Sequence, residues 1–158
     1  MQCIGNQSGL IEYRNNDGNL HHVVYYHNGI TSNPTVTIYV DDDGGADYTR
    51  IQYAIDNSKS GDAIFVYSGF YHENLNINKE IILMGENNKD TIIDGDNIFD
   101  AISINANNVK ISGFLIQNGS ACIGIDGVGY SNISNNRTTN SGGGINCIGE
   151  STVELVNV

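Results

Sequence analysis

Apolar residues recur along the later part of the chain at a fixed step of 22. Ala101, Ile123 and Ile145 keep that spacing, as do Ser103, Ile125 and Cys147. Ile111 and Ile133 repeat it, as do Asn118 and Asn140, while Val109 and Ile111 recur two steps on as Val153 and Leu155. Within each segment apolar and polar residues alternate over a few positions, the mark of a strand with one buried face. A period in the low twenties with Asn and Gly between β-type residues indicates a solenoid of stacked coils. Three short strands and their corners take about 20–25 residues per coil, and neighbouring coils pair about 4.8 Å apart. Crossovers between parallel strands are right-handed. The pattern therefore predicts an all-β fold, a right-handed single-stranded parallel β-helix. On the 22-residue alignment Cys147 lies over Ile125, Cys122 under Gly144, and Asp126 in register with Ile104 and Ile148.

From Asp62 onward the predicted strands are AIFVYSG, LNIN, EIILMGE, TIIDG, AISINA, VKISGFLIQN, CIGIDG, SNISNN, GINCIG and VELVNV. Before them, VTIYV at 36–40 reads as the first strand and DDDGGAD as a turn cluster. DYTRIQYAIDNSKSG is the one helix candidate: Tyr48, Ile51 and Ile55 share a face, Thr49 with Gln52 fits a capping box, and Gly61 is placed to end it. Such a helix makes sense as a lid on the open end of the apolar column. Residues 1–34 show no repeat. There LIEYR and LHHVVYYH flank NNDGN, a hairpin pattern with its turn near Asp17-Gly18, and Pro34 closes the segment. The organisation expected is an N-terminal extension (1–34) followed by the cap and first coils of a β-helix (35–158) that is truncated at its C-terminus, since STVELVNV stops inside a strand pattern.

Composition sharpens this. With 23 Asn and 19 Gly but a single Pro and no Trp, the chain suits many tight turns and few long helices. A net charge of −11 without a basic stripe argues against nucleic acid as a partner. No run is apolar enough to span a membrane, and MQCIGNQSGL has neither the basic start nor the apolar stretch of a signal peptide. The cysteines (Cys3, Cys122 and Cys147) match no zinc spacing, and the last two read as small buried or half-buried residues rather than a disulfide. Stacked Asn118 and Asn140 are expected to form a side-chain ladder.

The stretch IYVDDDGGADYTRIQYAIDNSKSGDAIFVYSGFYHENLNINKEIILMGENNKDTIIDG resembles the N-terminal part of pectin-lyase-like β-helix proteins. It is similar above all to β-helix modules of archaeal and bacterial surface proteins and to NosD-like periplasmic proteins. ISGFLIQNGS and NISNN resemble the repeat units of the latter. Gly69, Tyr71 and Glu73 form a G-x-Y-x-E piece that resembles an N-terminal motif of pectinesterases, where Gly turns the chain and Tyr packs. The resemblance covers about residues 37–158. It implies the fold and leaves activity open, because one scaffold hosts many chemistries. The later pectinesterase motifs with paired aspartates, arginine and glutamines have no counterpart here, so no catalytic role is carried over.

A polysaccharide lyase on this scaffold would need acidic calcium ligands beside a base. The acids on offer are Asp94, Asp96, Asp100 and Asp126, the bases Lys110 and Arg137. Asp94 and Asp96 flank Gly95 and read as turn residues. The run Asp41, Asp42, Asp43 and Asp47 is the place where calcium is conceivable, but it lacks the EF-hand Glu at the twelfth position, and a solvated turn leading into a helix N-terminus, favoured by the helix dipole, is the preferred reading. His21 and His22 fall on opposite faces of one strand, His27 is distant from both, and His72 is isolated, so no metal site is assigned. Asn6, Asn118, Asn132 and Asn136 each begin an N-x-[ST] sequon. Tyr and Asn on a long exposed face suit sugars, although no aromatic stripe repeats at 22. The reading that follows is a non-enzymatic extracellular, cell-surface or periplasmic β-helix module with a structural or adhesive role, its partners polysaccharides or surface glycans. Two alternatives stand beside it: a polysaccharide lyase or carbohydrate esterase with its active coils further on, and a NosD-like accessory of a periplasmic copper enzyme.

Overall fold

A computed structural model describes residues 9–14, 20–26, 36–126, 130–139, 144–148 and 152–156. Cys3, Asn6, the Asp17-Gly18 turn, His27, Pro34 and Asn140 lie outside these residues, as do the side chains of the first two strands, His21 and His22 included. Those strands, β1 (Gly9–Arg14) and β2 (Leu20–Tyr26), pair antiparallel. The chain continues as β3 (Thr37–Val40), α1 (Ile51–Asn57), β4 (Ala63–Val66), β5 (Gly69–His72), β6 (Leu75–Ile77), β7 (Ile82–Gly85), β8 (Thr91–Asp94) and β9 (Ile102–Ile104). It then forms β10 (Val109–Ser112), β11 (Leu115–Gln117), β12 (Ile123–Asp126), β13 (Tyr130–Ser134), β14 (Arg137–Thr139), β15 (Ile145–Ile148) and β16 (Thr152–Val156).

Every third strand from β4 onward pairs in parallel with the one before. The result is three sheets: β3-β4-β7-β10-β13-β16, β5-β8-β11-β14 and β6-β9-β12-β15. Four complete coils are thus stacked between β3 and β16, a parallel β-solenoid with one short helix near its start. Side chains alternate along each strand, and the inward rows line up coil over coil. Ile64, Leu83, Ile111 and Ile133 face one another in sequence, as do Ile93 with Ile116, Leu75 with Ile102 and Ile123, and Ile77 with Ile104 and Ile125. All of these are at most 1% exposed, and they make one continuous core. Burying each isoleucine stabilises the fold by about 1.5–3 kcal/mol.

The 22-residue step holds where corners have equal length: Ile111 faces Ile133, Ile123 faces Ile145, and Ile125 faces Cys147. One coil earlier it slips by a residue. Ile102, not Ala101, lies opposite Ile123, and Ile104 lies opposite Ile125, so Asp126 is not in register with Ile104, although it does pair with Ile148. Earlier still the corners vary, and steps of 19 (Ile64 to Leu83) and 27 (Leu75 to Ile102) occur. The expected VKISGFLIQN segment is two strands. Gly113 breaks it at φ +83°, a left-handed corner, and a Cβ there would meet the Gly85 carbonyl of the coil below. Cys122 is buried, but Cys147 is exposed on the last coil, where its strand has a neighbour on one side only; neither forms a disulfide. In the inward row beside Val109, Ser131 is fully buried, and its hydroxyl has no hydrogen-bond partner among the described residues.

The helix buries Ile51, Ala54 and Ile55 on the core and so closes the column as a lid. Its caps differ from the expected ones. Thr49 and Gln52 form no capping box: the N-cap residue is Arg50, with no side-chain cap bond. The orphan amides of Ile51 and Gln52 donate instead to the Glu73 carboxylate at 2.9 and 3.1 Å. Helix termination does not wait for Gly61 either. Ser58 caps the end, and Lys79 Nζ donates to the carbonyls of Ile55, Asp56 and Ser58 at 2.9–3.3 Å. An acid at the helix N-terminus and a base at its C-terminus complement the dipole, and both flank β6 in the first coil. Replacing buried Glu73 with Ala should therefore cost roughly 2 kcal/mol in urea unfolding, whereas Thr49→Ala should cost almost nothing. Equal effects would restore the capping box.

Candidate functional site

The polar chemistry of the described residues concentrates on the outer face of the sheet β5-β8-β11-β14. Its strands each end on a polar residue, and the register aligns them: His72 opposite Asp94, Asp94 opposite Gln117, Gln117 opposite Thr139. Asp94 is the hub. Its Oδ2 accepts from Gln117 Nε2 at 2.6 Å and Asn118 Nδ2 at 2.8 Å, and its Oδ1 lies 3.2 Å from His72 Nδ1. Thr139 Oγ1 donates to Gln117 Oε1 at 3.5 Å and completes the row. Two residues back along each strand, and so on the same face, runs a second row: Phe70, Ile92, Leu115 and Arg137. Phe70 is 54% exposed. The face thus offers an aromatic and aliphatic strip beside a strip of hydrogen-bonding groups.

Asp94 is therefore not a turn residue but a buried strand-end carboxylate binding three side chains. Asp96 does sit in a turn: its Oδ1 accepts from the amides of Ile98 and Phe99 and from Asn74 Nδ2. The amides of Phe99 and then Ile98 hold its carboxyl below the usual range. Asp100 accepts from the Ala121 amide one coil on. The remaining candidates are dispersed. Asp126 is exposed on β12, Lys110 is exposed on β10, and Arg137 ends the outer row on β14, two strands from β8. The acids and bases weighed for a lyase are accordingly split between three sheets (Asp94 with Arg137, Asp126, and Lys110) and the turn that holds Asp96 and Asp100.

The G-x-Y-x-E piece has a structural explanation. Gly69, Tyr71 and Glu73 alternate along β5 and just beyond it. A Cβ on Gly69 would collide with the Asp42 carboxylate, whose Oδ2 accepts from the Phe70 amide at 3.0 Å. Tyr71 is buried; its hydroxyl accepts from the Asp42 amide and donates to the Tyr67 carbonyl, and burial pushes the phenol well above its ordinary pKa. Glu73 then caps the helix. The motif latches the first coil to both the acidic loop and the lid.

Contrary to the expectation from the sequence, that loop does not serve the helix dipole. Asp47 accepts from the Tyr39 amide, Asp41 from the Asp43 amide and Asp42 from Phe70, and the first turn of α1 holds no acid. Among the described residues no group of three or more His, Cys, Asp or Glu side chains is placed to hold a metal ion. Asn118 gives its amide to Asp94, and Asn140, its expected ladder partner, lies outside the described residues. Sequence reasoning missed the His72–Asp94 pairing, although the 22-residue step that separates them was the signal that finds it.

No protein-family model matches the chain. It is similar to a cell surface glycoprotein of Methanothermus fervidus, with 37% identity over 97 residues, covering 60% of this chain. That match spans 16% of the relative's length. No helix among the described residues is long and apolar enough to cross a membrane.

If Asp94 is the hub of the row, Asp94→Ala orphans its amide donors and should destabilise the fold by about 2 kcal/mol in urea titration. His72→Ala should shift the midpoint far less, because the imidazole is 68% exposed. A larger loss from His72→Ala would contradict this assignment.

Proposed function

We propose that the chain is a structural module of a cell-surface protein, a rigid rod of stacked coils whose outer faces meet surface glycans. The observation that carries the reading is the similarity to a cell surface glycoprotein. The architecture supports it. Asp94, Gln117, Asn118, Asp100 and Asn136 all bond from one coil to another, which stiffens the stack. Six strands at about 4.8 Å give a rod of roughly 24 Å, and the charge of −11 keeps such rods apart in solution. Contact with sugars is supported by Phe70 beside the polar row, since an exposed ring and adjacent hydrogen-bonding groups suit a pyranose. Within β-helix proteins we place the chain among the pectin-lyase-like group, nearest its NosD-like and surface-protein modules. The support is the coil architecture and the latch of Gly69, Tyr71 and Glu73. The role requires no cofactor.

Labelling of intact cells with a membrane-impermeant amine reagent tests the location. Lys59, Lys89 and Lys110 are exposed and should react before lysis. Reaction only after lysis would overturn the reading.

A further inference from the structure

A groove lies on the outer face of the six-stranded sheet, where the chain enters the strands from a corner. Gly61, Glu80, Ile82, Asn108, Lys110 and Tyr130 line it, and its volume is about 230 Å³. Two outward rows build it. Ile82 lies opposite Lys110, and two residues earlier, on the same face, come Glu80 and Asn108. Backbone bonds carry that corner in both directions. The Gly61 amide donates to the Glu80 carbonyl at 2.8 Å, and the Asn108 amide donates to the Tyr130 carbonyl at 2.7 Å. Gly61, Glu80, Asn108 and Tyr130 therefore follow one another along the rod on four successive coils.

Differences in side-chain size explain the hollow. Glu80 and Tyr130 are long and stand two coils apart, roughly 9–10 Å at strand spacing. Asn108 between them is short. Gly61 has no side chain to close the row beyond Glu80, and half-buried Ile82 adds apolar surface. Tyr130 is 41% exposed. Glu73, Glu86 and Lys79 are bonded to other parts of the coil stack. Glu80 and Lys110 differ from them: both are exposed, and their side chains make no hydrogen bond or ion pair among the described residues.

A carboxylate, an ammonium and an aromatic ring around one hollow match the three surfaces of a pyranose. The carboxylate accepts from hydroxyl groups, the ammonium donates to hydroxyl oxygens, and the ring covers a C–H face. Charge narrows the class further. Acid and base cancel within the groove, and a chain of net charge −11 repels an acidic sugar. Volume narrows it again: the groove is smaller than the roughly 300–1,000 Å³ of pockets for drug-sized ligands, which leaves room for one ring. We propose that this groove binds the terminal, uncharged pyranose ring of a surface glycan, with the rest of the glycan leaving over Gly61. The inference rests on the glycan contact proposed above. It gives that contact a second place, on a different sheet from the Phe70 strip.

The test is a titration of the isotope-labelled full chain with single sugars, followed through its backbone amide resonances. The probes are the methyl pyranosides of glucose, galactose, mannose and N-acetylglucosamine, with methyl galacturonate as the acidic comparator. At least one neutral glycoside should move the amides of Glu80, Ile82, Asn108 and Lys110 at millimolar concentration, and the uronate should not. Glu80→Gln should weaken that binding about tenfold, the loss of one charge-assisted hydrogen bond. The side chain is exposed, so the urea midpoint should stay in place. Tyr130→Phe, which keeps the ring, should bind as the parent does. Shifts confined to Phe70, His72 and Gln117 overturn the groove site and spare the glycan contact. No shift on either face overturns both. Unchanged binding by Glu80→Gln, or binding of the uronate alone, overturns the assignment of an uncharged ring to this groove.

Discussion

Coil-over-coil register is the constraint on which the rest of this molecule depends. Each strand must return above its predecessor with the same face inward, because a slip of one residue would turn every isoleucine of that coil out to water. The backbone ladders fix the spacing, and the isoleucine rows supply the free energy, at a few kcal/mol for each buried side chain. Corners are free to vary provided the strands return to place. Hence steps of 19 and 27 residues coexist with 22 in one continuous core. Where two corners touch, only glycine fits, as at Gly85 and Gly113.

A column built this way has no natural start, and the chain provides one. The helix lays Ile51, Ala54 and Ile55 over the first coil, and Glu73 and Lys79 bind its two ends from either side of β6. A seven-residue helix is too short to be stable alone. Its ends are held by the surface it covers, so lid and first coil form together. Tyr71 and Asp42 extend the same attachment to the acidic loop. What resembles a family motif is thus a set of backbone amides finding acceptors. Fixing these residues is a structural requirement that says nothing about chemistry at a distance.

Much of this was legible in the sequence, and the rest was hidden for physical reasons. Ile111 over Ile133 and Ile123 over Ile145 could be read directly because the intervening corners match in length. Ala101 is buried in the core but was set opposite Ile123, a place that Ile102 holds because the return from β9 to β12 takes 21 residues rather than 22. The helix was visible from its apolar face, but its caps were not. Local patterns suggested Thr49 and Gly61, whereas the groups that bind its ends lie a full coil later in the chain. Cys147 shares a row with Ile125 yet is exposed, since neither a further coil nor a lid covers its outer side among the described residues. His72 and Asp94 looked unrelated until the coils brought them into one row. Asn136 shows the converse: a sequon by sequence and, in the fold, an internal brace.

The direct test of the account is the pairing itself in solution. Parallel register predicts nuclear Overhauser contacts between the backbone protons of Ile111 and Ile133, and of Ile123 and Ile145, on residues 22 apart. Contacts that run in antiparallel order between these strands, or none between them in a folded protein, would contradict the solenoid and everything derived from it.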